Sequence, residues 1–423
     1  MKKLFATLIC TLLFFGAAAA QEKGEKIKTG WNFGPLPAVS YNSDLGFQYG
    51  ALCDFFYFGD GSTYPTYLHK FNVELSHYTK GETIAHMFYD SKYLLPGLRV
   101  TAALSYLDSA MSPFYGFNGY ASPLYQDLTS NSSFYYMDRT MLRGIADLQG
   151  SISDRLTWMA GITFWNVTTG DVQLDKYKDE RSLYEEYIDS GLISDNEVAG
   201  THLELKAGLV YDTRDMEAAP TRGYCAEVVA SFSPALFGDA EAYGRIMATW
   251  RQFFPVIGDR LVLGYRINYQ QTFGNAPFYL QQTTTPLYLR QIKNEGLGGK
   301  NSIRGIFQNR ILADGYAWAN FEARVKIVNF RFINQNWYVA LNPFVDMGVI
   351  TKDRKFEELK QAQRADDAIG IYTGDSYGGI HASAGVGLKL VMNHNFIISV
   401  EYGKPFDKRD GKGGLNIGTN YIF

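Results

Sequence analysis

Polar and apolar side chains alternate with a period of two along most of this chain. In LVLGYRINYQ, Leu261, Leu263, Tyr265, Ile267 and Tyr269 fall on one side, and Val262, Gly264, Arg266, Asn268 and Gln270 on the other. Successive side chains of a strand point to opposite faces, so such a segment is a strand with an apolar face and a mainly polar one. HLELKAGLVYD repeats the pattern. Leu203, Leu205, Ala207, Leu209 and Tyr211 oppose His202, Glu204, Lys206, Gly208 and Asp212. In GIHASAGVGLKL, Ile380, Ala382, Ala384, Val386, Leu388 and Leu390 oppose His381, Ser383, Gly385, Gly387 and Lys389.

A soluble sandwich also alternates, with its apolar faces inward. Three features turn the apolar face outward here. The chain opens with a secretory leader. The polar face carries charges in strand after strand, as a wet interior would. Aromatic residues, 30 Tyr and 29 Phe among them, cluster near strand ends as interfacial girdles do. Lipid offers no hydrogen-bond partners, so a spanning sheet must close on itself. The fold class expected is therefore all-β, a transmembrane antiparallel barrel.

The pattern predicts about sixteen strands, an even number as in bacterial barrels. They cover 35–41, 46–58, 66–78, 82–93, 98–107, 133–152, 155–169, 201–212, 223–233, 242–254, 260–273, 316–330, 337–350, 379–391, 395–403 and 414–423. The long connections, 108–132, 170–200, 274–315 and 351–378, all follow odd-numbered strands. Tight turns follow even-numbered ones. Long loops on one side and short turns on the other is the outer-membrane arrangement.

Residues 1–20 read as a signal peptide. Lys2 and Lys3 precede an apolar run from Leu4 to Phe15, and Ala18 and Ala20 supply an A-x-A site with cleavage after Ala20. Residues 21–34 then form a short periplasmic segment, and 35–423 the barrel. The expected location is the bacterial outer membrane, in contact with its lipid and lipopolysaccharide.

Other classes are disfavoured. A net charge of −3 does not suit a nucleic-acid binder. Cys53 and Cys225 lie too far apart in sequence for a disulfide scaffold. The six histidines are scattered, with no metal spacing and no G-x-S-x-G element. No enzyme, cofactor or metal is expected. SLYEEYIDSGLI, with Ser182 and Glu185 at capping-box spacing, and KFEELKQAQRADDA, from Lys355, read as loop helices with exposed charged faces.

One stretch does not fit a surface loop. In GGKNSIRGIF, Arg304 and Gly305 stand between apolar Ile303 and Ile306. In the next two strands, parity sends Asn320, Glu322, Arg324 and Lys326 inward, and then Asn342, Phe344, Asp346 and Gly348. Glu322 and Asp346 are thus lumenal carboxylates on adjacent strands. Burying them without a cation is costly, and an inward-folded arginine would offer both a planar fork of donors. Gly305 would permit the turn, while Ile303 and Ile306 pack on the wall. The alternative is an exposed loop arginine without a partner.

Several motifs add a resemblance. SIRGI resembles the VRGF/Y motif of the BamA/TamA outer-membrane insertase superfamily, also called the bacterial surface antigen family, although Ile306 replaces its aromatic. FVDMG resembles the family's F-x-D-x-G strand. LVYDTRDMEAAPTRGY, with Asp212, Arg214, Asp215 and Gly223, is similar to its D-T-R-D turn. FYGFNGYA is close to its F-Y-G-x-G-N loop, with Asn118 and Gly119 exchanged. The resemblance implies a sixteen-stranded barrel, Arg304 docked on Asp346 and Glu322, and a role in inserting or translocating polypeptides. Members carry POTRA domains ahead of the barrel, and residues 21–34 leave no room for one. Substrate capture would then be absent or fall to a separate periplasmic or lipoprotein partner, with nascent outer-membrane proteins as the substrates.

The same reading expects a weak seam where the first and last strands meet. Pro35 and Pro37 lack amide donors, and Gly413, Gly414 and Gly418 loosen the last strand, which ends at Phe423. A ragged first strand without function is the plainer reading. At the level of the whole molecule, the alternative is a non-insertase barrel, either a passive pore or the anchor of a partner.

Overall fold

The computed structural model describes residues 27–423 except 65–66, 131, 175, 178–179, 217–218, 239, 282–295, 333–334, 356–369, 373–377, 393–395 and 420. The leader and the segment expected as a helix from Lys355 lie largely outside these residues.

Seventeen strand segments form one antiparallel sheet closed into a barrel. They are β1 (Trp31–Pro37), β2 (Ser40–Asn42), β3 (Gly46–Tyr57), β4 (His69–Tyr78), β5 (Glu82–Leu95), β6 (Leu98–Pro113), β7 (Tyr136–Ser151), β8 (Leu156–Gly170), β9 (Ala199–Asp212), β10 (Gly223–Ser233), β11 (Tyr243–Ile257), β12 (Leu261–Gly274), β13 (Gly315–Phe332), β14 (Gln335–Lys352), β15 (His381–Met392), β16 (Phe396–Pro405) and β17 (Gly414–Thr419). β1 and β2 follow one edge of β3 in a single register, Pro37 opposite Ala51 and Ser40 opposite Gln48. They are two halves of one stave, so the seventeen segments make sixteen staves.

Parity runs as the alternation requires. On β13, Phe321 and Ile327 face outward and exposed, while Asn320, Glu322 and Arg324 are buried inside. On β14, Leu341, Val345 and Met347 face outward, and Asn342, Phe344 and Asp346 inward. Aromatic rings pack along the outer wall, Tyr224 stacked on Trp250 at 4.8 Å and Phe71 tilted against Tyr89 at 4.7 Å. These amphipathic rings suit the boundary between acyl chains and water.

The structure departs from the sequence reading at several edges. β1 begins at Trp31 rather than Pro35. β6 runs to Pro113 rather than 107, and β11 to Ile257 rather than 254. β17 stops at Thr419, and Tyr421–Phe423 leave the wall. The loop helix α1 (Leu183–Asp189) forms with the Ser182–Glu185 capping box, but it is not an exposed charged face. Leu183, Tyr184 and Tyr187 are buried with Phe114, Phe117 and Phe278 in an apolar cluster beneath the long loops. These five aromatic residues outweigh the charges on the opposite side. Cys53 and Cys225 are free thiols.

Candidate functional site

The loop between β12 and β13 folds into the lumen. Its entry is shaped by Gly298 and Gly299, both at positive φ, and by Ser302, whose hydroxyl bonds the carbonyls of Gly296 and Gly298. Ile303 and Ile306 are fully buried against Leu297, Ile311, Tyr316 and Trp318. This apolar footing fixes where the next side chain can reach.

Arg304 is completely buried. Its Nε and Nη2 donate to the two carboxylate oxygens of Asp346, each at 2.8 Å, a bidentate fork. Its backbone amide also donates to Asp346, at 3.0 Å. Nη1 donates to Glu322 at 2.6 Å and to Glu401 at 2.8 Å. The guanidinium lies 3.6 Å from the ring centroid of Phe344, an arginine-on-aromatic arrangement. Ser383 donates its hydroxyl to the Arg304 carbonyl.

Two further cations complete the cluster. Arg324 Nε donates to Glu322 Oε2 at 3.2 Å, and Lys389 Nζ to Glu401 Oε1 at 2.9 Å. Three cations thus meet three carboxylates, which is the condition under which buried charge is tolerated. The structure brings together Ile303, Arg304, Gly305, Ile306, Glu322 and Asp346. Sequence reasoning missed Glu401, although Ser399, Glu401 and Gly403 share inward parity on β16. It also missed Arg310, which pins two other loops through the carbonyls of Gly119, Ser122 and Arg409.

The turn residues Asp212, Arg214, Asp215 and Gly223 lie elsewhere, between β9 and β10. Asp212 holds Arg214 through its backbone amide and its guanidinium. Asp215 caps the turn through the amides of Met216 and Thr221 and the Thr221 hydroxyl. Partial burial pushes the Asp215 carboxyl up, but the hydrogen bonds from Thr221 outweigh it and hold the group below the ordinary carboxylate value. Gly223 sits at φ +92°, where a Cβ would stand 2.4 Å from the Thr213 carbonyl oxygen. Met216 and Ala219 pack with Tyr338, Val391 and Ile397 inside the near end of the lumen.

The barrel closes between β2 and β17. β17 pairs with β2 at two positions, Asn416 with Asn42 and Ile417 with Tyr41. The Ser43 hydroxyl adds bonds to the amide and carbonyl of Leu415. β1 is in register with β3, and no pairing of β1 with β17 is present among the described residues. Ala38 N donates to Gly50 O, so the even-numbered amides of this stave face β3 and the odd-numbered ones face the seam. Pro35 and Pro37 therefore delete donors from the seam edge itself. Among the described residues, no group of His, Cys, Asp or Glu side chains is arranged to hold a metal ion.

Residues 69–423 match the Omp85 superfamily domain. The chain belongs to the Omp85 superfamily. Two solved structures share this Omp85 barrel fold. BamA from Haemophilus ducreyi, in a form lacking POTRA domains 1–3, is 16% identical with a TM-score of 0.58, covering 93% of this chain and 71% of that one. CdiB from Acinetobacter baumannii is 11% identical with a TM-score of 0.51, covering 93% and 60%. No curated protein sequence matches the chain. An Omp85 barrel is an outer-membrane barrel of the insertion and translocation type.

Proposed function

We propose that this Omp85 barrel inserts or translocates polypeptides at the outer membrane by opening sideways between β2 and β17, with no chemical catalysis. The observation that carries this reading is the seam: two register pairs, beside a stave whose prolines leave part of its edge undonated. An opened edge can add a strand from another chain through main-chain hydrogen bonds. Carbonyls and the remaining amides of Trp31, Phe33, Val39 and Tyr41 offer that edge. The Arg304 cluster supports the wall from inside while the seam moves.

A passive pore needs an open path. Three packed clusters lie along this lumen among the described residues, the Arg304 cluster at mid-height, the Phe114–Phe278 cluster above it and the Ala219–Ile397 cluster below. That favours a gated wall over a standing channel. Nascent outer-membrane proteins are the proposed substrates, with lipid and lipopolysaccharide around the barrel. A separate periplasmic or lipoprotein partner is the proposed means of delivering them.

The register beyond Ile417–Tyr41 sets Thr419 opposite Val39. Val39→Cys and Thr419→Cys, in a background with Cys53 and Cys225 replaced by Ser, should form a disulfide across the seam. In proteoliposomes, oxidation should abolish insertion of an unfolded client barrel, and a reductant should restore it. Undiminished insertion by the oxidised protein would overturn lateral opening.

A further inference from the structure

Beyond β17 the chain does not continue along the wall. Tyr421–Phe423 turn into the lumen, and three cations hold them there. The Tyr421 ring lies 4.0 Å from the Arg324 guanidinium and 5.1 Å from the Lys389 ammonium. Ile422 O accepts from Arg266 Nη1 at 3.1 Å, and Phe423 O from Arg324 Nη2 at 2.6 Å. The Phe423 ring packs on Phe253, with centroids 5.9 Å apart.

Each of these cations has a second task. Arg266 Nη2 donates at 2.8 Å to the carbonyl of Asn301, in the inward-folded loop. Arg324 binds Glu322, whose other oxygen takes Arg304. Lys389 binds the same Glu401 oxygen that Arg304 does. The loop and the segment thus meet directly at Arg266, and by way of Glu322 and Glu401 at Arg324 and Lys389, although they do not share a strand. A guanidinium presents its donors in a fixed fork, so moving one end of the fork moves the other.

We propose that Arg266, Arg324 and Lys389 couple the docked loop to Tyr421–Phe423, so that withdrawing Arg304 releases this segment and the β17 side of the seam. Without Arg304, three buried carboxylates share two cations. Arg324 and Lys389 then turn fully toward Glu322 and Glu401, which removes the donor from Phe423 O and the cations from the Tyr421 ring. β17 is left with its register to β16 and its two pairs to β2. Arg266, Arg324 and Lys389 are positioning residues. The consequence for the seam rests on the lateral-opening reading, whereas the coupling itself does not.

Hydrogen exchange on the full chain in nanodiscs tests the coupling without any insertion assay. R304A should speed exchange of the β17 amides, and R324A should speed exchange of the amides of 298–306. Coupling is reciprocal, so the two accelerations should be of like size, about 5- to 150-fold for typical coupling. In the R304A/R324A double variant the effects should be less than multiplicative. R99A, which removes the cation paired with Asp90 on the far wall, should move neither region. R266Q leaves all six ionised groups of the cluster in place, so it serves if R304A does not fold; it should loosen both regions. Acceleration confined to the mutated side, or fully multiplicative effects, would overturn the proposal even if lateral opening holds.

Discussion

Gly305 and Gly403 meet backbone to backbone. A Cβ on Gly305 would stand 2.3 Å from the Gly403 carbonyl carbon, and one on Gly403 would stand 2.7 Å from the Arg304 carbonyl oxygen. Gly305 also holds φ at +87°. The loop can therefore lie this close to β16 only while both positions lack side chains. Gly403→Ala keeps every charge in the cluster yet should push the loop off the wall, costing roughly 0.5–3 kcal/mol as overpacking and strain do. The check is protease cleavage within 296–311 in detergent. A cleavage pattern identical to the parent's would mean the contact is dispensable.

Arg304→Ala removes the cation and leaves Asp346, Glu322 and Glu401 facing one another. Breaking one partner out of a buried ion cluster costs about 3–5 kcal/mol. The urea midpoint of the folded barrel, followed by its gel mobility, should fall accordingly. Arg304→Lys keeps the charge but loses the fork to Asp346, so its midpoint should lie between the two. Equal midpoints for Lys and Arg would show that point charge alone suffices.

Alternation was enough to recover the barrel, because the two sides of each strand differ in solvent and burial enforces the difference. It also placed Glu322 and Asp346 inside, since parity is local. What closure brings together is not local. Glu401 is one inward residue among many until β16 curves round to meet β13 and β14. Tyr421 and Phe423 keep parity with Leu415 and Ile417, so the sequence extends the strand through them. Whether they pair depends on the amide donors that Pro35 and Pro37 lack, nearly the whole chain away. Strand ends past the apolar belt, as in β6 and β11, carry too little pattern to bound.

Asp215 makes one turn sensitive to acid. Its carboxyl is held below the ordinary value of 3.8, outside the membrane-spanning strands. A depressed pKa means the folded turn favours the charged form. That stability is in full force above the unfolded value and is lost as pH falls through the folded one. Protection of the amides in 213–222, taken relative to the intrinsic exchange rate at each pH, should therefore stay flat down to about pH 4 and fall below it. Asp215→Asn should exchange faster at neutral pH and lose the acid step. An acid step that persists in the Asn variant would assign it to another group.

The prolines of the first stave are expected to set where β17 stops. Extending the Ile417–Tyr41 register sets Tyr421 opposite Pro37 and Phe423 opposite Pro35. Both partners lack the amide that would face the seam, so the wall gives Tyr421 and Phe423 no donor, while in the lumen Arg324 donates to Phe423 O and Arg266 to Ile422 O. Replacing both prolines by Val restores two donors and a residue type suited to strands. Each added hydrogen bond contributes about 0.5–1.5 kcal/mol. The segment should then move onto the wall and extend the seam. Exchange of the β17 amides should slow, roughly tenfold or more, and client insertion should slow with it. Slower exchange with undiminished insertion would separate seam strength from activity. Unchanged exchange would mean that the lumenal cradle, and not the missing donors, decides where the strand ends.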